Sequence, residues 1–223
     1  MVLYILLFLI PLILLGYLLG MLLFLPLILL GYLLGSIPSG LIVGKLMSGV
    51  DIREHGSGNL GGTNAFRVLG VKGGIIVTSA DILKGAIPAY IGLVWASLVP
   101  IGGGEVGAIV GGTAAIIGHA FPLFAGFRGG KSVATAVGVF LVLMPYAIGI
   151  AAIVFFTTLF TTRYVSLASI LGALGLAIAS IALGQSIWMI ITSIVVVVFL
   201  IYRHRGNIQR ILDGTESKAK LWG

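Results

Sequence analysis

Hydrophobic residues fill this chain in runs of membrane length, and its polar residues are gathered into a few stretches between them. About 20 apolar residues are enough to cross a hydrocarbon core as a helix. Runs of this kind predict helices near 22–47, 73–99, 105–125, 132–144, 145–162, 165–184 and 186–202. The fourth is short, and Pro145 marks the turn into the fifth. The expected fold is all-α: a polytopic integral membrane protein with seven transmembrane helices and an extra hydrophobic N-terminal segment.

That extra segment repeats its neighbour. "PLILLGYLLG" occurs at 11–20 and again at 26–35. The apolar stretch from Val2 to Gly35 is too long for one ordinary span and offers no polar turn for two. No positive charge precedes it and no clear cleavage site follows, so it does not read as a signal peptide. Residues 1–21 are read as a duplicated hydrophobic extension, through recent duplication or a start set upstream of Met21. Residues 22–223 are read as one membrane-embedded domain with its motif loops on the cytoplasmic side.

Composition agrees with this picture: 59% of the 223 residues are hydrophobic and 9% are charged, with a mean hydropathy of +1.22. A soluble domain carries about a quarter charged residues. The net charge of +7 would by itself suggest nucleic acid, but its placement argues for a bilayer. Alternating the seven spans puts the stretches 48–72, 126–131, 163–164 and 203–223 on one side. The other side receives 100–104 and the turns at 144–145 and 184–185. Lys45, Arg53, Arg67, Lys72, Arg128, Lys131, Arg163, Arg203, Arg205, Arg210, Lys218 and Lys220 lie on the first side or at its boundary, twelve of thirteen basic residues. The positive-inside bias makes that side cytoplasmic, with the C-terminus there too, and no nucleic-acid partner is expected. The thirteenth, Lys84, stands three residues after Asp81 within the second span, where one helical face lets the two neutralise each other. Charges at such depth point to a supporting role at a site, or to a structural ion pair. There is no cysteine, which excludes disulfides, thiolate metal sites and a thioester on the enzyme.

Four polar stretches carry the candidate chemistry. The first, "HGSGNLGGTNAFRVLG" at 55–70, holds Ser57, Gly58, Asn59, Gly61, Thr63, Asn64 and Arg67. Its glycines leave backbone N–H groups uncovered, so successive amides can form a concave nest for an anion. Its hydroxyls and amides add neutral donors, and Arg67 a two-pronged cation suited to phosphate. Glycine-rich polar loops also serve merely as connectors. The second, "GHAFPLFAGFRGGKS" at 118–132, nearly spells a Walker loop, but Ala125 stands where the first glycine belongs and a membrane helix replaces the strand. Nucleotide binding is therefore disfavoured. The shared physics remains: Gly129, Gly130 and Lys131 open a helix whose N-terminal amides attract an anion. His119 lies in the preceding helix, where a lone histidine more often packs than acts as a base.

The third stretch, "TTRYVSLAS" at 161–169, places Ser166 and Ser169 on one face at the start of the sixth span. The fourth, "RHRGNIQRILDGTESK" at 203–218, brings His204, Asn207 and Arg210 onto one helical face and ends in Glu216 of "GTE". Basic tails beside bilayers commonly just touch anionic lipid, which requires neither the Asn nor the Glu. Four such patches converging at one face predict a strongly anionic ligand with more than one phosphate group.

With these residues in place the chain resembles the bacterial acyl-phosphate:glycerol-3-phosphate acyltransferases, the PlsY family. The resemblance rests on "GSGNLGGTNAFRVLG", "GHAFPLFAGFRGGKSVAT", "RYVSLAS" and "HRGNIQRILDGTESK", together with "GYLLGSIPSG" at 31–40 and "DILKG" at 81–85, and runs from Met21 to the C-terminus. Arg128 and Gly62 are mild departures, where the family often has Lys and Ala. The resemblance implies a seven-span enzyme of the bacterial cytoplasmic membrane. It would move an acyl chain from acyl phosphate to the 1-hydroxyl of sn-glycerol 3-phosphate, releasing lysophosphatidate and phosphate. It also implies that Ser57, Asn59, Thr63, Asn64 and Arg67 hold phosphate, with Lys131, Ser166, His204 and Asn207 completing two substrate sites. A soluble phosphate acyltransferase that makes acyl phosphate is an expected partner.

Acyl phosphate is a mixed anhydride with a good leaving group, so positioning and charge neutralisation can supply most of the rate. No side chain is expected to be a general base, and no cofactor or metal is expected. A base pair of the form H-x₄-D, used by another glycerophosphate acyltransferase class, is absent: the positions five after His55, His119 and His204 are Leu60, Phe124 and Gln209. The competing class is a membrane transporter for an anionic, phosphorylated solute. It would need polar residues along a path to the opposite face, and "AYIGLVWASLVP" and "LGALGLAIASIA" offer almost none.

Overall fold

Each of the seven apolar runs becomes helical, but the first two do so in ways that length alone does not foresee. The computed structural model of the chain describes residues 2–97 and 103–219. Lys220 and most of the 100–104 loop lie outside them. The N-terminal extension forms α1 (Val2–Leu23) and the first run forms α2 (Leu25–Gly35) and α3 (Ser39–Ser48). α1 leaves Leu7, Leu9, Ile10, Leu12, Leu14 and Leu15 about half exposed. Pro38 has no N–H and restricts Ile37, so the helix breaks between α2 and α3 while the run still spans Leu25–Ser48. At the break the Ile37 carbonyl accepts from the Ser39 N–H at 3.0 Å and keeps a lone pair for a side-chain donor.

The helix read as beginning near 73 begins at Gly62, inside the glycine-rich motif: α4 covers Gly62–Ser97. It is not straight. At Gly70 the backbone takes φ 72° and ψ −170°, a conformation in practice open only to glycine. The limb 62–69 therefore folds back on 71–97. A Cβ on Gly62 would stand 2.1 Å from Thr78 Oγ1, and one on Gly74 would stand 2.2 Å from the Phe66 ring. A loop was expected here; a helical hairpin is found.

The remaining helices are α5 (Gly103–Ala120), α6 (Val133–Leu143), α7 (Pro145–Thr162), α8 (Val165–Ala182), α9 (Ile187–Arg203) and α10 (Arg205–Leu212). Pro145 opens α7 as the sequence predicts. By length and composition four helical stretches can each cross a membrane: Leu25–Ser48, Gly103–Ala125, Pro145–Thr162 and Val165–Ala182. α9 with α10, bent by 57° at His204, makes a fifth. Of the other two runs, α6 has only 11 residues, and α4 carries Lys72, Asp81 and Lys84.

α4 packs against both α5 and α6, α2 against α5, and α7 against α8. Backbones meet closely at small residues, as membrane helices do. A Cβ on Gly85 would lie 2.1 Å from the Thr135 carbonyl oxygen, and one on Gly138 would lie 1.9 Å from that of Ile82. The main core gathers Ile116, Val139, Phe140, Met144, Leu176 and Val196. A second cluster of Ile52, Leu60, Ala65, Val77 and Ala125 lies beneath the glycine-rich loop. It gives that loop a rigid floor.

Candidate active site

The glycine-rich loop is held from within by one side chain. Asn64 is 1% exposed. Its Oδ1 accepts from the Ser57 N–H at 2.7 Å, while its Nδ2 donates to the carbonyls of Ile52 at 2.7 Å and His55 at 3.1 Å. Its amide is thus fully engaged with backbone, and Asn64 shapes the loop. Gly56 has φ 62°, and a Cβ there would stand 2.3 Å from Asn64 Oδ1, so only glycine lets the amide approach. Asn59 Oδ1 accepts from the Gly61 N–H at 2.9 Å. Gly58 turns at φ 68° and donates to the His55 carbonyl. Ser57, Thr63 and Arg67 stay exposed on the loop and its helical limb. Before the loop, Asp51 is salt-bridged to Arg53 at 2.6 Å, and hydrogen bonds from Arg53 bring its carboxyl down to about 2.

The second site element is the turn before α6. Gly130 donates its N–H to the His119 carbonyl at 3.1 Å. The guanidinium of Arg203 donates to the carbonyls of Gly130 at 2.6 Å and Gly129 at 3.4 Å. It also lies over the Phe121 ring at 5.3 Å. Arg203 was read from sequence as an orientation charge only; its position just before His204 was the available signal. Ser132, in left-handed conformation at φ 64°, gives its hydroxyl to the Ile116 carbonyl and leaves the start of α6 without a side-chain cap.

Lys131 follows directly, and the third and fourth motifs close around it. Its ammonium donates to Asn207 Oδ1. Asn207 Nδ2 donates to Glu216 Oε1 at 2.7 Å, as does the Ser166 hydroxyl. Arg210 Nε donates to Glu216 Oε2 at 2.8 Å. The tail after α10 is thereby folded back, with Ala219 N–H on the Arg163 carbonyl at 2.8 Å and Lys218 over the Tyr164 ring. Burial would raise the Glu216 pKa, but the bonds from Asn207, Ser166 and Arg210 outweigh it and hold the group below the ordinary carboxylate range. Burial lowers Lys131 to about 8; Glu216 opposes this, while Arg210, Arg67 and Arg203 add to it. Arg67, from the first motif, is thus one of the charges that lower Lys131.

One expected residue points elsewhere. Ser169 donates to the Val165 carbonyl of its own helix at 2.8 Å. His204 is buried, and its Nδ1 lies 2.8 Å from the Leu200 carbonyl, so Nδ1 carries the proton and Nε2 is the nitrogen left for other partners. His119, with Asp81 and Lys84, forms a separate buried group behind both loops.

Lys131, Asn207, Glu216, Ser166 and Arg210 thus join the second, third and fourth motifs into one polar network. The family model described as glycerol-3-phosphate acyltransferase matches residues 25–214. The chain belongs to the glycerol-3-phosphate acyltransferase family. A glycerol-3-phosphate acyltransferase of Bacillus cytotoxicus is 51% identical over 186 residues, 83% of this chain and 90% of that one. That of Bacillus subtilis is 46% identical over 185 residues, 83% of this chain and 92% of that one. Among solved structures, this acyltransferase fold resembles the integral membrane glycerol 3-phosphate acyltransferase PlsY in its glycerol 3-phosphate form. There the TM-score is 0.81 and the identity 40%, covering 87% of this chain and 94% of the other. The lysophosphatidic acid form of the same protein matches with a TM-score of 0.79. The chain is thus an all-helical integral membrane acyltransferase with bacterial relatives, as the motifs predict.

Proposed function

We propose that this protein transfers a fatty acyl group from acyl phosphate to the 1-hydroxyl of sn-glycerol 3-phosphate, giving lysophosphatidate and inorganic phosphate. The observation that carries this reading is the Lys131–Asn207–Glu216–Ser166 network, with Arg210 bonded to Glu216 and Arg203 to the turn before Lys131. Such a cluster neutralises a phosphate dianion. The glycine-rich loop, with Ser57, Thr63 and Arg67 exposed on it and on its helical limb, supplies the second anion cradle. Two phosphate-holding elements side by side suit a reaction between two phosphorylated substrates, and the similar solved structures carry a glycerol 3-phosphate form and a lysophosphatidic acid form.

The hydroxyl oxygen of glycerol 3-phosphate forms a bond to the acyl carbonyl carbon. The bond from that carbon to the phosphate oxygen then breaks, and phosphate leaves with the electron pair. The hydroxyl proton passes to a phosphate oxygen of a substrate, so no side chain need act as base. Cations of the network stabilise charge developing on the leaving group. The acyl tail lies along the helices in lipid.

In this reading all seven apolar runs span the bacterial cytoplasmic membrane, with the motifs and the C-terminus cytoplasmic, and residues 1–21 are an appendage. A soluble phosphate acyltransferase supplies the donor. An anion transporter is not favoured, because the matching family and the similar solved structures are acyltransferases. The test is one assay with purified protein, acyl phosphate and labelled glycerol 3-phosphate, with acyl-CoA as rival donor. Labelled lysophosphatidate from acyl phosphate alone supports the reading; product from acyl-CoA at an equal or greater rate refutes it.

A further inference from the structure

Behind the two loops lies a group of charges that the transfer chemistry does not use. Asp81 is 1% and Lys84 8% exposed. Asp81 Oδ1 accepts from the Ser39 hydroxyl at 2.6 Å and pairs with Lys84 Nζ at 2.9 Å. Lys84 also donates to the Ile37 carbonyl at 3.0 Å, at the break before α3. His119 Nδ1 stands 3.7 Å from Asp81 Oδ1. Asp81 Oδ2 and His119 Nδ1 are buried with no hydrogen-bond partner. Both belong to the lining of a cavity with room for about one water, closed by Leu60 of the glycine-rich loop and Gly130 of the second turn.

This group touches both loops. On one side, Ser39 precedes Gly40, whose added Cβ would stand 2.1 Å from the Leu60 carbonyl oxygen. On the other, His119 Nε2 lies 2.0 Å from where a Cβ on Gly130 would sit. Each loop keeps its own shape by other means: the first through Asn64, the second through Arg203. What the buried charges add is a connection between them: hydrogen bonds tie Asp81 and Lys84 to Ile37 and Ser39, and the His119 ring stands against Asp81 at 3.7 Å, in contact range. Charge-assisted bonds are short and directional, whereas apolar contact lets helices slide. A buried ion pair is weak evidence for stability, and one bonded to a second chain segment suits a geometric role.

We propose that Asp81 is a positioning residue for acyl transfer: acting through Ser39 and Lys84 on one side and His119 on the other, it sets the spacing between the two phosphate-holding loops. The proposal rests on the reading of those loops given above. Because each loop still binds its own anion when the link is lost, both KM values should hold while kcat falls. A reacting atom displaced by about 1 Å costs on the order of 100-fold.

The experiment compares wild type, Asp81→Asn, Asp81→Asn/Lys84→Met, His119→Ala and the triple combination, with melting in detergent measured alongside. Asp81→Asn alone leaves Lys84 buried and uncompensated and is expected to melt early. The pair replacement removes both charges and is the deciding variant. It should melt near wild type, keep both KM values within about threefold, and lose about 10- to 100-fold in kcat. Adding His119→Ala should deepen the loss by less than about threefold, since both changes act on one link. Wild-type kcat in the double variant overturns the proposal, as does a tenfold rise in either KM with kcat retained, or losses that multiply with His119→Ala. A wild-type protein that makes no lysophosphatidate overturns the functional reading itself, a result distinguishable from these.

Discussion

Replacing Lys131 by methionine should make the protein a poorer enzyme without making it less stable, and the two effects can be sized separately. In the substrate-free protein the ammonium is partly buried near Arg210, Arg67 and Arg203, with Glu216 in partial compensation. Its pKa falls from the usual 10.5 to about 8. The folded state therefore binds this proton less tightly than the unfolded chain, and stability rises with pH between about 8 and 10.5. At pH 7 both states are protonated and the full penalty is present. Its ceiling is about 3 kcal/mol, and partial exposure reduces it to about 1–2 kcal/mol. Methionine removes that penalty but leaves Asn207 Oδ1 without its donor, which costs about 1 kcal/mol. The net is zero to about 1 kcal/mol in favour of the variant, an unchanged melting temperature or a rise of about 2–4 °C. Catalysis moves the other way. Losing one charge-assisted contact to a phosphate costs about 2–4 kcal/mol, on the order of 30- to 1000-fold in kcat/KM. Melting in detergent and turnover of labelled glycerol 3-phosphate with acyl phosphate measure the two quantities on one preparation. A variant within about threefold of wild-type kcat/KM refutes the phosphate contact. One that is both inactive and several degrees less stable shows Lys131 to be structural.

Three further outcomes are expected. The KM for glycerol 3-phosphate should climb about tenfold per pH unit above about 8, as Lys131 loses its proton; Lys131→Arg, which stays charged, should flatten that climb, and an unchanged alkaline rise would assign it to another group. Arg67→Ala, altering an exposed side chain on the 62–69 limb, should lose about 30- to 1000-fold in kcat/KM while remaining folded and inserted; near wild-type turnover would remove it from the site. His119→Ala and His204→Ala should keep the acidic limb of the kcat profile, because phosphate near pH 6 and not imidazole produces it; losing that limb together with at least 100-fold in kcat in either variant makes that histidine the base.

Much of this molecule is readable along the chain because lipid imposes a simple rule. A run long and apolar enough to be buried in it becomes a helix, and α5, α7, α8 and α9 lie within a few residues of the apolar runs that predict them. Motif chemistry is legible for a related reason: Asn, Ser, Lys and Arg crowded beside such runs have few purely structural uses. What escapes is direction. Nothing local distinguishes Asn64, whose Oδ1 and Nδ2 are both spent on backbone of its own loop, from Asn59 five residues earlier, which spends only its Oδ1 there. The reversal at Gly70 depends on one pair of backbone angles and on Thr78 being near Gly62, a long-range fact. Arg203 looks like any basic residue at a helix end until the Gly129 and Gly130 carbonyls are seen beneath it.

The Asp81–Lys84 pair bears on the order in which the membrane protein is made. Asp and Lys at the centre of an isolated helix each oppose partition from the translocon by about 2.5–3.5 kcal/mol, and α4 is not among the helices apolar enough to cross on their own account. Its charges find relief in Ile37 and Ser39, which the ribosome has already delivered, whereas His119 is synthesised some 35 residues later. Both charges of the pair thus have partners that precede them in the chain, so α2, α3 and α4 together hold what α4 alone would expose to lipid. The end of the link that holds Ser39 is complete within residues 37–84, and α5 adds the end that meets the second turn when it brings His119 against Asp81 and Gly130.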